Sequence, residues 1–558
     1  MNNRTDPDVI VVGAGFAGMY AIYKFRQQGL RVKVFEAGTD VGGTWYWNRY
    51  PGARCDVPSL EYSFGFSEEL QQEWAWPEVF SAQSDILRYA NHIADKFELR
   101  RDIAFNTRVT AATFDEDAEL WRVATDQGKT YSASFFVMAT GCLSVPNKPK
   151  LPGADSFAGL ELHTGTWPKE PVDLSGKRVG IIGTGSSGVQ AIPELARQAE
   201  QLYVFQRTPV YTVPANRKAM RDEVQQEFKD NYRAIRQMQQ KNAGGVSNFR
   251  PVQSIRGEAT DAQAPANVSI EGQPNYAGSA ANIKDLSPQQ RIERIRQRGL
   301  NELLNFRDVY TDAEANEIAN DLFRQAVRHL VKDPQTADGL CPTDYGIGCK
   351  RQVLDRDYYD TFNRDNVTLV DLKKTPIETI NAAGIATTET QYELDVLIYA
   401  TGFDAMTGAL TRTNITGRDG LTLPEKWHAG PANYLGLSVV GFPNLFTVTG
   451  PGSPSVLCNM LVAIEQHINW IGDCIDYLRA HDLHSIEATE PAEQAWVAHV
   501  NEVAEGTMYT SPGCNSWYLG ANIPGKPRIF MPYVGGYPRY KDKCDQVAAN
   551  GYQGFELK

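Results

Sequence analysis

A strand–turn–helix–strand pattern with three glycines in its turn occurs twice in this chain of 558 residues. In the first copy, strands at 9–12 and 31–36 flank a helical run that opens with the turn Gly13-Ala14-Gly15-Phe16-Ala17-Gly18. In the second, strands at 178–182 and 202–207 flank a helical run that opens with Gly183-Thr184-Gly185-Ser186-Ser187-Gly188. Such a unit binds a dinucleotide, because the helix N-terminus faces the pyrophosphate. We therefore predict an α/β protein with two Rossmann-like dinucleotide-binding domains.

The two units differ at the end of the second strand, where the adenosine ribose is recognised. Glu36 ends this strand in the first unit, and a carboxylate there accepts hydrogen bonds from ribose hydroxyls and repels a 2′-phosphate. Arg207 and Thr208 stand at the equivalent place in the second unit. A guanidinium with no neighbouring acid suits a 2′-phosphate. We therefore expect FAD in the first site and NADPH in the second, working together. The turns Ala139-Thr140-Gly141 and Ala400-Thr401-Gly402 each close a strand, as in two-nucleotide flavoproteins.

Between residues 218 and 340 the pattern changes to a polar, irregular segment at 242–281 followed by helices. Ser287-Pro288 indicates one helix start and Thr311 with Glu314 a capping box. Ile318, Leu322, Val327 and Leu330 then predict the buried stripe of a helix. Strands at 394–399 and 445–448 and a helix near 458–479 are expected to complete the first domain. The predicted division is FAD-binding at 1–145, NADP-binding at 146–217, a helical insertion at 218–340, NADP-binding again at 341–389, and FAD-binding with a C-terminal tail at 390–558.

The charge balance restricts the partners. The formal net charge is −12 and no basic stripe is visible, which disfavours nucleic acid. No apolar run approaches 18 residues and no apolar signal region stands at the N-terminus, so we expect no membrane span and a cytoplasmic enzyme. We also expect a monomer or a weak homo-oligomer. The eight cysteines form no CxxC pair and no metal-like cluster. We expect all of them to be reduced thiols and no metal site.

The electrons that reach a flavin need an acceptor. Disulfide reductases carry a redox-active CxxxxC pair just after the first unit, but the segment at 42–47 holds no cysteine and the first one is Cys55. The remaining acceptor is molecular oxygen.

Two further motifs carry a family resemblance. The segment Phe157-Ala158-Gly159-Leu160-Glu161-Leu162-His163-Thr164-Gly165-Thr166-Trp167-Pro168 matches the pattern FxGxxxHxxxWP. The segment from Gly43-Thr44-Trp45 through Tyr50-Pro51-Gly52 to Asp56 matches a second pattern. On these motifs the chain resembles the type I Baeyer–Villiger monooxygenases, over essentially its whole length. The resemblance implies FAD, NADPH and O₂, and conversion of a ketone into an ester or lactone through a peroxide held on C4a of the flavin.

The resemblance also implies roles for single residues. Arg351 is the cation that stabilises the peroxide and then the oxyanion, and Asp56 is its carboxylate partner. Lys350 joins Arg207 and Thr208 around the 2′-phosphate. Trp517 packs on NADP, and His163 governs domain movement rather than proton transfer. Gly43, Thr44 and Trp45 are added to the expected cofactor contacts.

The expected substrate pocket is mostly apolar; it is formed by Val57, Cys142, Leu143, Leu457 and Met460. The segment 452–460 resembles an active-site bulge, which favours bulky aryl-alkyl or cyclic ketones over compact ones. Three alternatives stay open: a bulge that only packs the surface, oxygenation of nitrogen or sulfur instead of a ketone, and a non-catalytic redox sensor.

Overall fold

The structure is a computed structural model that describes residues 6–215, 219–247, 249 and 281–558. Most of the predicted irregular segment at 242–281, and the predicted boundary at 217–218, lie outside these ranges. The strands are β1 (Val9–Val12), β2 (Val32–Phe35), β3 (Ile103–Ala104), β4 (Val109–Asp115), β5 (Leu120–Thr125), β6 (Thr130–Ala133), β7 (Phe135–Met138), β8 (Leu160–His163), β9 (Arg178–Ile182), β10 (Gln201–Gln206), β11 (Thr212–Pro214), β12 (Val353–Asp355), β13 (Val367–Asp371), β14 (Ile377–Asn381), β15 (Gly384–Thr387), β16 (Gln391–Glu393), β17 (Val396–Tyr399), β18 (Asn414–Thr416), β19 (Leu445–Thr447), β20 (Ile486–Ala488) and β21 (Phe555–Leu557). The helices are α1 (Phe16–Gln27), α2 (Thr44–Trp47), α3 (Glu68–Glu73), α4 (Gln83–Lys96), α5 (Ser186–Gln198), α6 (Asp222–Lys241), α7 (Pro288–Arg298), α8 (Ala313–Leu330), α9 (Pro334–Gly339), α10 (Tyr358–Thr361), α11 (Gly408–Arg412), α12 (Leu423–Lys426), α13 (Met460–Ala480), α14 (Glu490–Ala504) and α15 (Tyr537–Ala549).

The first sheet is parallel, with the order β19-β7-β1-β2-β3. Its central strands are buried on both faces, which explains why β1 and β7 are continuous apolar runs rather than alternating ones. Helices α1 and α13 pack together against one face. The first dinucleotide unit and the return of the chain at 445–448 are therefore confirmed as parts of one sheet.

The second sheet is also parallel, with the order β13-β10-β9-β17-β8. It contains β17, in which Val396 lies opposite Val179 on one side and Leu160 on the other. Placing this strand in the first domain from residue 390 onward was therefore wrong. The apolar run of β17 satisfies either sheet, and only the pairing decides between them. The other domain boundaries stay a prediction.

Two chain segments connect the sheets and lie side by side. The N–H of Asn147 donates to the carbonyl of Gly402 at 2.9 Å, and the N–H of Asp404 donates to the carbonyl of Val145 at 2.9 Å. Each segment leaves its sheet at one of the Ala-Thr-Gly turns, which follow β7 and β17. The carboxyl ends of both sheets are thereby held near this double connection.

The segment predicted as a helical insertion packs in two places. Phe228, Tyr232 and Ile235 of α6 are buried in the core of the first sheet. Helices α7 and α8 pack instead on the core of the second sheet. The segment therefore contacts both domains rather than one.

Helix α8 begins one residue later than predicted, since the Asp312 carboxylate, and not Thr311, accepts from the N–H of Ala315 at 2.9 Å. The predicted stripe is also wrong in part, because Leu330 is 39% exposed. The buried face is rotated and consists of Ala315, Asn316, Ala319, Asn320, Phe323 and Val327. Two of these are asparagines, which an apolar pattern cannot predict.

The cysteines require a second correction. Cys349 and Cys514 form a disulfide; their Cα atoms lie 5.6 Å apart, and the two residues are separated by 165 positions in the sequence. The expectation that all eight are thiols was therefore wrong for this pair, because spacing does not reveal which cysteines the fold brings together. The others are free and buried: Cys55, Cys142, Cys341, Cys458, Cys474 and Cys544.

Candidate active site

The glycines of the first unit are required by close backbone approaches. A Cβ on Gly18 would lie 1.9 Å from the carbonyl oxygen of Gly13, and one on Gly13 would lie 2.7 Å from that of Ala139. A Cβ on Gly43 would lie 2.8 Å from the Cα of Gly15, so the two turns of this site touch. Helix α1 has no side-chain cap at Gly15, which leaves its first N–H groups for an anion. These features fit the pyrophosphate of FAD.

The second unit repeats the arrangement. A Cβ on Gly188 would lie 2.3 Å from the carbonyl oxygen of Gly183, and one on Gly183 would lie 2.5 Å from that of Ala400. Gly185 faces open space and Ser186 is exposed at the first turn of α5, which also lacks a side-chain cap. The two Ala-Thr-Gly turns thus take equivalent places beside the two glycine turns.

Glu36 lies beside the glycine turn of the first unit, where it is predicted to bind the ribose of the cofactor. Its carboxylate is buried and accepts from the N–H of Ala14 at 2.8 Å and from the N–H of Gly38 at 2.6 Å. Each carboxylate oxygen has a second lone pair, so capacity remains for ribose hydroxyls. Phe16, Ala17 and Trp45 are buried around this site, whereas Thr44 is exposed.

A positive cluster lies at the equivalent place in the second unit. Arg207 is exposed, and the carbonyl of its neighbour Thr208 accepts from the Thr184 hydroxyl at 3.0 Å. The Lys350 ammonium lies 4.1 Å from the centre of the Tyr345 ring. Burial, and then the nearby Arg207 charge, lower the pKa of Lys350 to about 8. Ser187 lies at the first turn of α5. The cluster fits a dianionic phosphate, which would also favour the charged lysine.

Arg351 and Asp56 form a bidentate ion pair, with Nε to Oδ2 at 2.6 Å and Nη2 to Oδ1 at 2.7 Å. The pairing expected from the resemblance is therefore confirmed. Nη1 of Arg351 donates to the carbonyl of Val456 at 2.6 Å. The guanidinium thus connects the loop after the first unit, the loop next to Lys350 and the segment before α13. A planar guanidinium held on two edges keeps a fixed orientation.

The loop that carries Arg351 is positioned by residues that sequence reasoning missed. The Asn316 side chain donates to the carbonyls of Val309 and Ile347, each at 2.8 Å. The Asn320 side chain accepts from the N–H of Ile347 at 2.9 Å. A buried asparagine at helical spacing in an otherwise apolar stripe is the signal that could have identified them.

A cleft opens beside the ion pair. Its walls come from the loop of Asp56, the loop of Arg351 between α9 and β12, the segment before α13, and the C-terminal tail between α14 and α15. The lining residues are Asp56, Val213, Tyr310, Gly348, Lys350, Arg351, Gln352, Leu354, Val456, Leu457, Tyr509 and Tyr518. Among the residues expected to contact substrate, Leu457 lies in this lining. Cys142, Leu143 and Met460 pack with Leu457 in the core of the second sheet, whereas Val57 packs against that of the first. Their role as a substrate pocket stays a prediction.

His163 ends β8 beside the double connection between the sheets. Its Nδ1 accepts from the N–H of Gly165 at 2.9 Å, and its Nε2 lies 3.4 Å from the carbonyl oxygen of Asn147 and 3.4 Å from the hydroxyl of Thr401. Burial lowers the pKa of His163, which favours a neutral ring.

Trp517 is half-buried in the tail, with its ring 4.4 Å from that of Tyr518. The positions of His163 and Trp517 suit their expected roles, which remain predictions.

Comparison with known proteins gives consistent results. A family model described as pyridine nucleotide-disulphide oxidoreductase matches residues 10–264. Acetone monooxygenase (methyl acetate-forming) of Gordonia sp. (strain TY-5) is 39% identical over 562 residues and matches 100% of both chains. A Baeyer–Villiger monooxygenase of Pseudooceanicola batsensis is 40% identical over 98% of this chain and 95% of its own. The chain belongs to the Baeyer–Villiger monooxygenases. The solved structure of oxidised steroid monooxygenase bound to NADP matches this Baeyer–Villiger monooxygenase with a TM-score of 0.89, 46% identity and 99% coverage of each chain.

One relative of this Baeyer–Villiger monooxygenase has a different reaction in its name. Phenazine N-monooxygenase PhzNO1 of Lysobacter antibioticus is 37% identical over 100% of this chain and 98% of its own.

Within the described ranges, no helix is both long and apolar enough to cross a membrane.

Proposed function

We propose that this chain converts bulky aryl-alkyl or cyclic ketones into esters or lactones, with FAD bound in the first unit and NADPH in the second. The overall reaction takes a ketone, O₂, NADPH and a proton, and gives an ester, NADP⁺ and water. FAD, when bound, carries two electrons from NADPH to O₂ and delivers one oxygen atom to the substrate. The observation that carries the proposal is the Arg351–Asp56 pair, which joins the loop after the first unit to the loop of Lys350 and lines a cleft.

Arg351 supplies a fixed positive charge where oxygen atoms become negative. Its Nε and Nη2 are held by Asp56 and its Nη1 by Val456, so the charge does not have to reorganise during the reaction. The carboxylate of Asp56 fixes the direction of the guanidinium and moderates its charge. A fixed cation supports attack by an anionic oxygen donor on a carbonyl, which is the reaction in the name of the Baeyer–Villiger relatives.

The bulge before α13 supports a preference for bulky ketones. Ser455–Leu457 forms a single tight turn, Ser455 is fully buried with φ at +44°, and the side chains of Val456 and Leu457 line the cleft. A residue held in this backbone region is over-determined by its surroundings. The turn therefore forms a fixed wall beside Arg351, next to the unbranched and adaptable side chain of Met460.

The first test is product formation by the FAD-loaded wild-type enzyme with NADPH and ¹⁸O₂. We expect ester that contains one ¹⁸O atom, with kcat/KM higher for phenylacetone than for cyclohexanone or acetone. The Arg351→Ala variant should bind FAD normally and lose ester formation by about 100-fold or more, the size found for one preorganised donor to an oxyanion. Arg122→Ala, which breaks an Arg–Asp pair on the surface of the β4–β5 hairpin, is the matched control and should keep wild-type activity.

Nitrogen oxygenation is the second candidate, and the phenazine N-monooxygenase relative supports it. The same assay should therefore include phenazine. N-oxide formed from phenazine, with no ester from any ketone, would contradict the proposal and favour the second candidate.

A further inference from the structure

The Cys349–Cys514 disulfide lies between two walls of the cleft. Cys349 directly precedes Lys350 and is two residues from Arg351, while Cys514 lies in the tail between Tyr509 and Tyr518. Lys350, Arg351, Tyr509 and Tyr518 all line the cleft. The bond therefore joins the loop that carries both cations to the tail that lines the same cleft. Both cysteines are fully buried.

The tail is packed closely against the same loop. A Cβ on Gly513 would lie 2.3 Å from the carbonyl oxygen of Asp344, so only glycine allows this approach. Arg528 closes the tail on itself, because its guanidinium donates to the carbonyl of Cys514 at 2.6 Å and to Oδ1 of Asn515 at 2.8 Å. The half-cystine of the tail is thus held in a rigid turn.

The other end of the tail is attached to the connection between the two sheets. The Lys526 ammonium contacts Oδ1 of Asp404 at 2.8 Å and the carbonyl of Ala405 at 2.9 Å. The Asn522 side chain donates to the carbonyl of Phe403 at 2.8 Å. The tail therefore links the inter-sheet connection to the loop of Arg351, and the disulfide is the covalent part of that link.

We propose that the Cys349–Cys514 disulfide is a redox-sensitive clamp that holds the tail on the Arg351 loop and so sets how tightly NADPH is held. In this proposal Cys349 and Cys514 are positioning residues, which act through the loop and the tail that they join. Opening the clamp requires a thiol reductant, which reaches the buried sulfurs when the tail opens locally. A dithiol then gives two electrons and two protons to the disulfide, which becomes two thiols, and is itself oxidised to a cyclic disulfide. This inference rests on the proposed function only because NADPH consumption by the FAD-loaded enzyme is used to detect the effect of the clamp.

The test begins with peptide mapping of the FAD-loaded enzyme after alkylation without reductant. We expect one peptide pair joined through Cys349 and Cys514, which separates after dithiothreitol treatment. Two alkylated thiols in the unreduced enzyme would overturn the proposal at once.

The second step compares kinetics of the oxidised enzyme, the reduced enzyme and the Cys349→Ser/Cys514→Ser variant. We expect KM for NADPH to rise about fivefold or more in both open forms, at the lower end of couplings between linked sites, with kcat changed less. A larger share of the NADPH electrons should appear as hydrogen peroxide. The double variant should not respond to dithiothreitol, whereas Cys341→Ser, which removes a free buried thiol, should respond as the wild type does.

Unchanged KM and unchanged peroxide yield in the mapped, reduced enzyme would overturn the clamp. Absence of ester from the oxidised wild type would instead contradict the proposed function, since NADPH binding and the peptide map do not depend on the substrate. If the double variant does not fold, the reduced wild type still decides the outcome.

Discussion

At the scale of single residues, the two neighbouring cations Lys350 and Arg351 differ in how easily each loses its charge. A guanidinium stays charged throughout the range in which proteins are handled, whereas burial brings the pKa of Lys350 down to about 8. The sequence pointed to Arg207 and Asp56 through motifs, since Arg207 follows the second strand of a glycine-rich unit and Asp56 ends a fingerprint. It pointed to Arg351 and Lys350 only through the resemblance to the family. It could not place Asn316, Asn320 or the Cys349–Cys514 pair, since these act through contacts between segments far apart in the chain.

Lys350 gives a pH prediction. Burial disfavours its charged form and a bound 2′-phosphate favours it, so NADPH binding weakens as the pH rises through the pKa of the free enzyme. We expect kcat/KM for NADPH to fall by about tenfold in total between pH 7 and 10, centred near pH 8, which is the size of one charge-assisted hydrogen bond. Lys350→Arg should remove this step, because the guanidinium keeps its proton. The same assay with NADH is the control, and an equal step with NADH would show that another group titrates.

At the scale of elements, the same close approach fixes both dinucleotide units. The third glycine of each turn lets its helix lie against the carbonyl of the first glycine. This contact follows from the motif and was predictable from sequence, as were β1, β2, β9 and β10. The buried face of α8 was not, because Asn316 and Asn320 are buried there by their hydrogen bonds to Ile347. The capping residue was not either, since Thr311 and Asp312 are adjacent and both residue types cap helices.

Adding one methyl group at these glycines should separate the two cofactor sites. In Gly18→Ala the new Cβ meets the Gly13 carbonyl at 1.9 Å, so the purified variant should have lost most of its flavin absorbance. In Gly188→Ala the new Cβ lies 2.3 Å from the carbonyl oxygen of Gly183, in the second unit. Flavin should therefore be retained while KM for NADPH rises about tenfold or more. Gly472→Ala in α13 meets only the ends of the Gln28 and Lys24 side chains and should behave as the wild type. Loss of flavin from Gly188→Ala would contradict the assignment of the sites.

At the scale of the whole molecule, the loop of Asp56 rests directly on the second domain. Gly52 has φ at +85°, and a Cβ there would lie 2.2 Å from the carbonyl oxygen of Gln190 in α5. The Gln190 side chain accepts from the Tyr50 hydroxyl at 2.8 Å and donates to the carbonyl of Arg54 at 3.1 Å. The second fingerprint is thus also an interface between domains, which its pattern in the sequence does not reveal.

Gly52→Ala should disturb that interface. The backbone region alone costs about 1–2 kcal/mol for an alanine, and the collision with α5 adds to this. Gly29→Ala is the matched control, because Gly29 has φ at +73° and no atom within 4 Å of a new Cβ. We expect Gly52→Ala to lower Tm more than Gly29→Ala does, and to release more hydrogen peroxide per NADPH. Equal peroxide yields in the two variants would show that the contact between Gly52 and Gln190 does not affect the reaction.

The order in which the two sheets are completed along the chain has a consequence for biosynthesis. In the sheet that holds the second unit, β17 is the last strand along the chain, so all strands of that sheet have been translated by residue 399. The sheet that begins at residue 9 waits for β19, which ends at residue 447, and for α13 beyond it. The domain that starts second along the chain is therefore the first whose sheet is synthesised in full, and the sheet of the flavin domain is completed only afterwards.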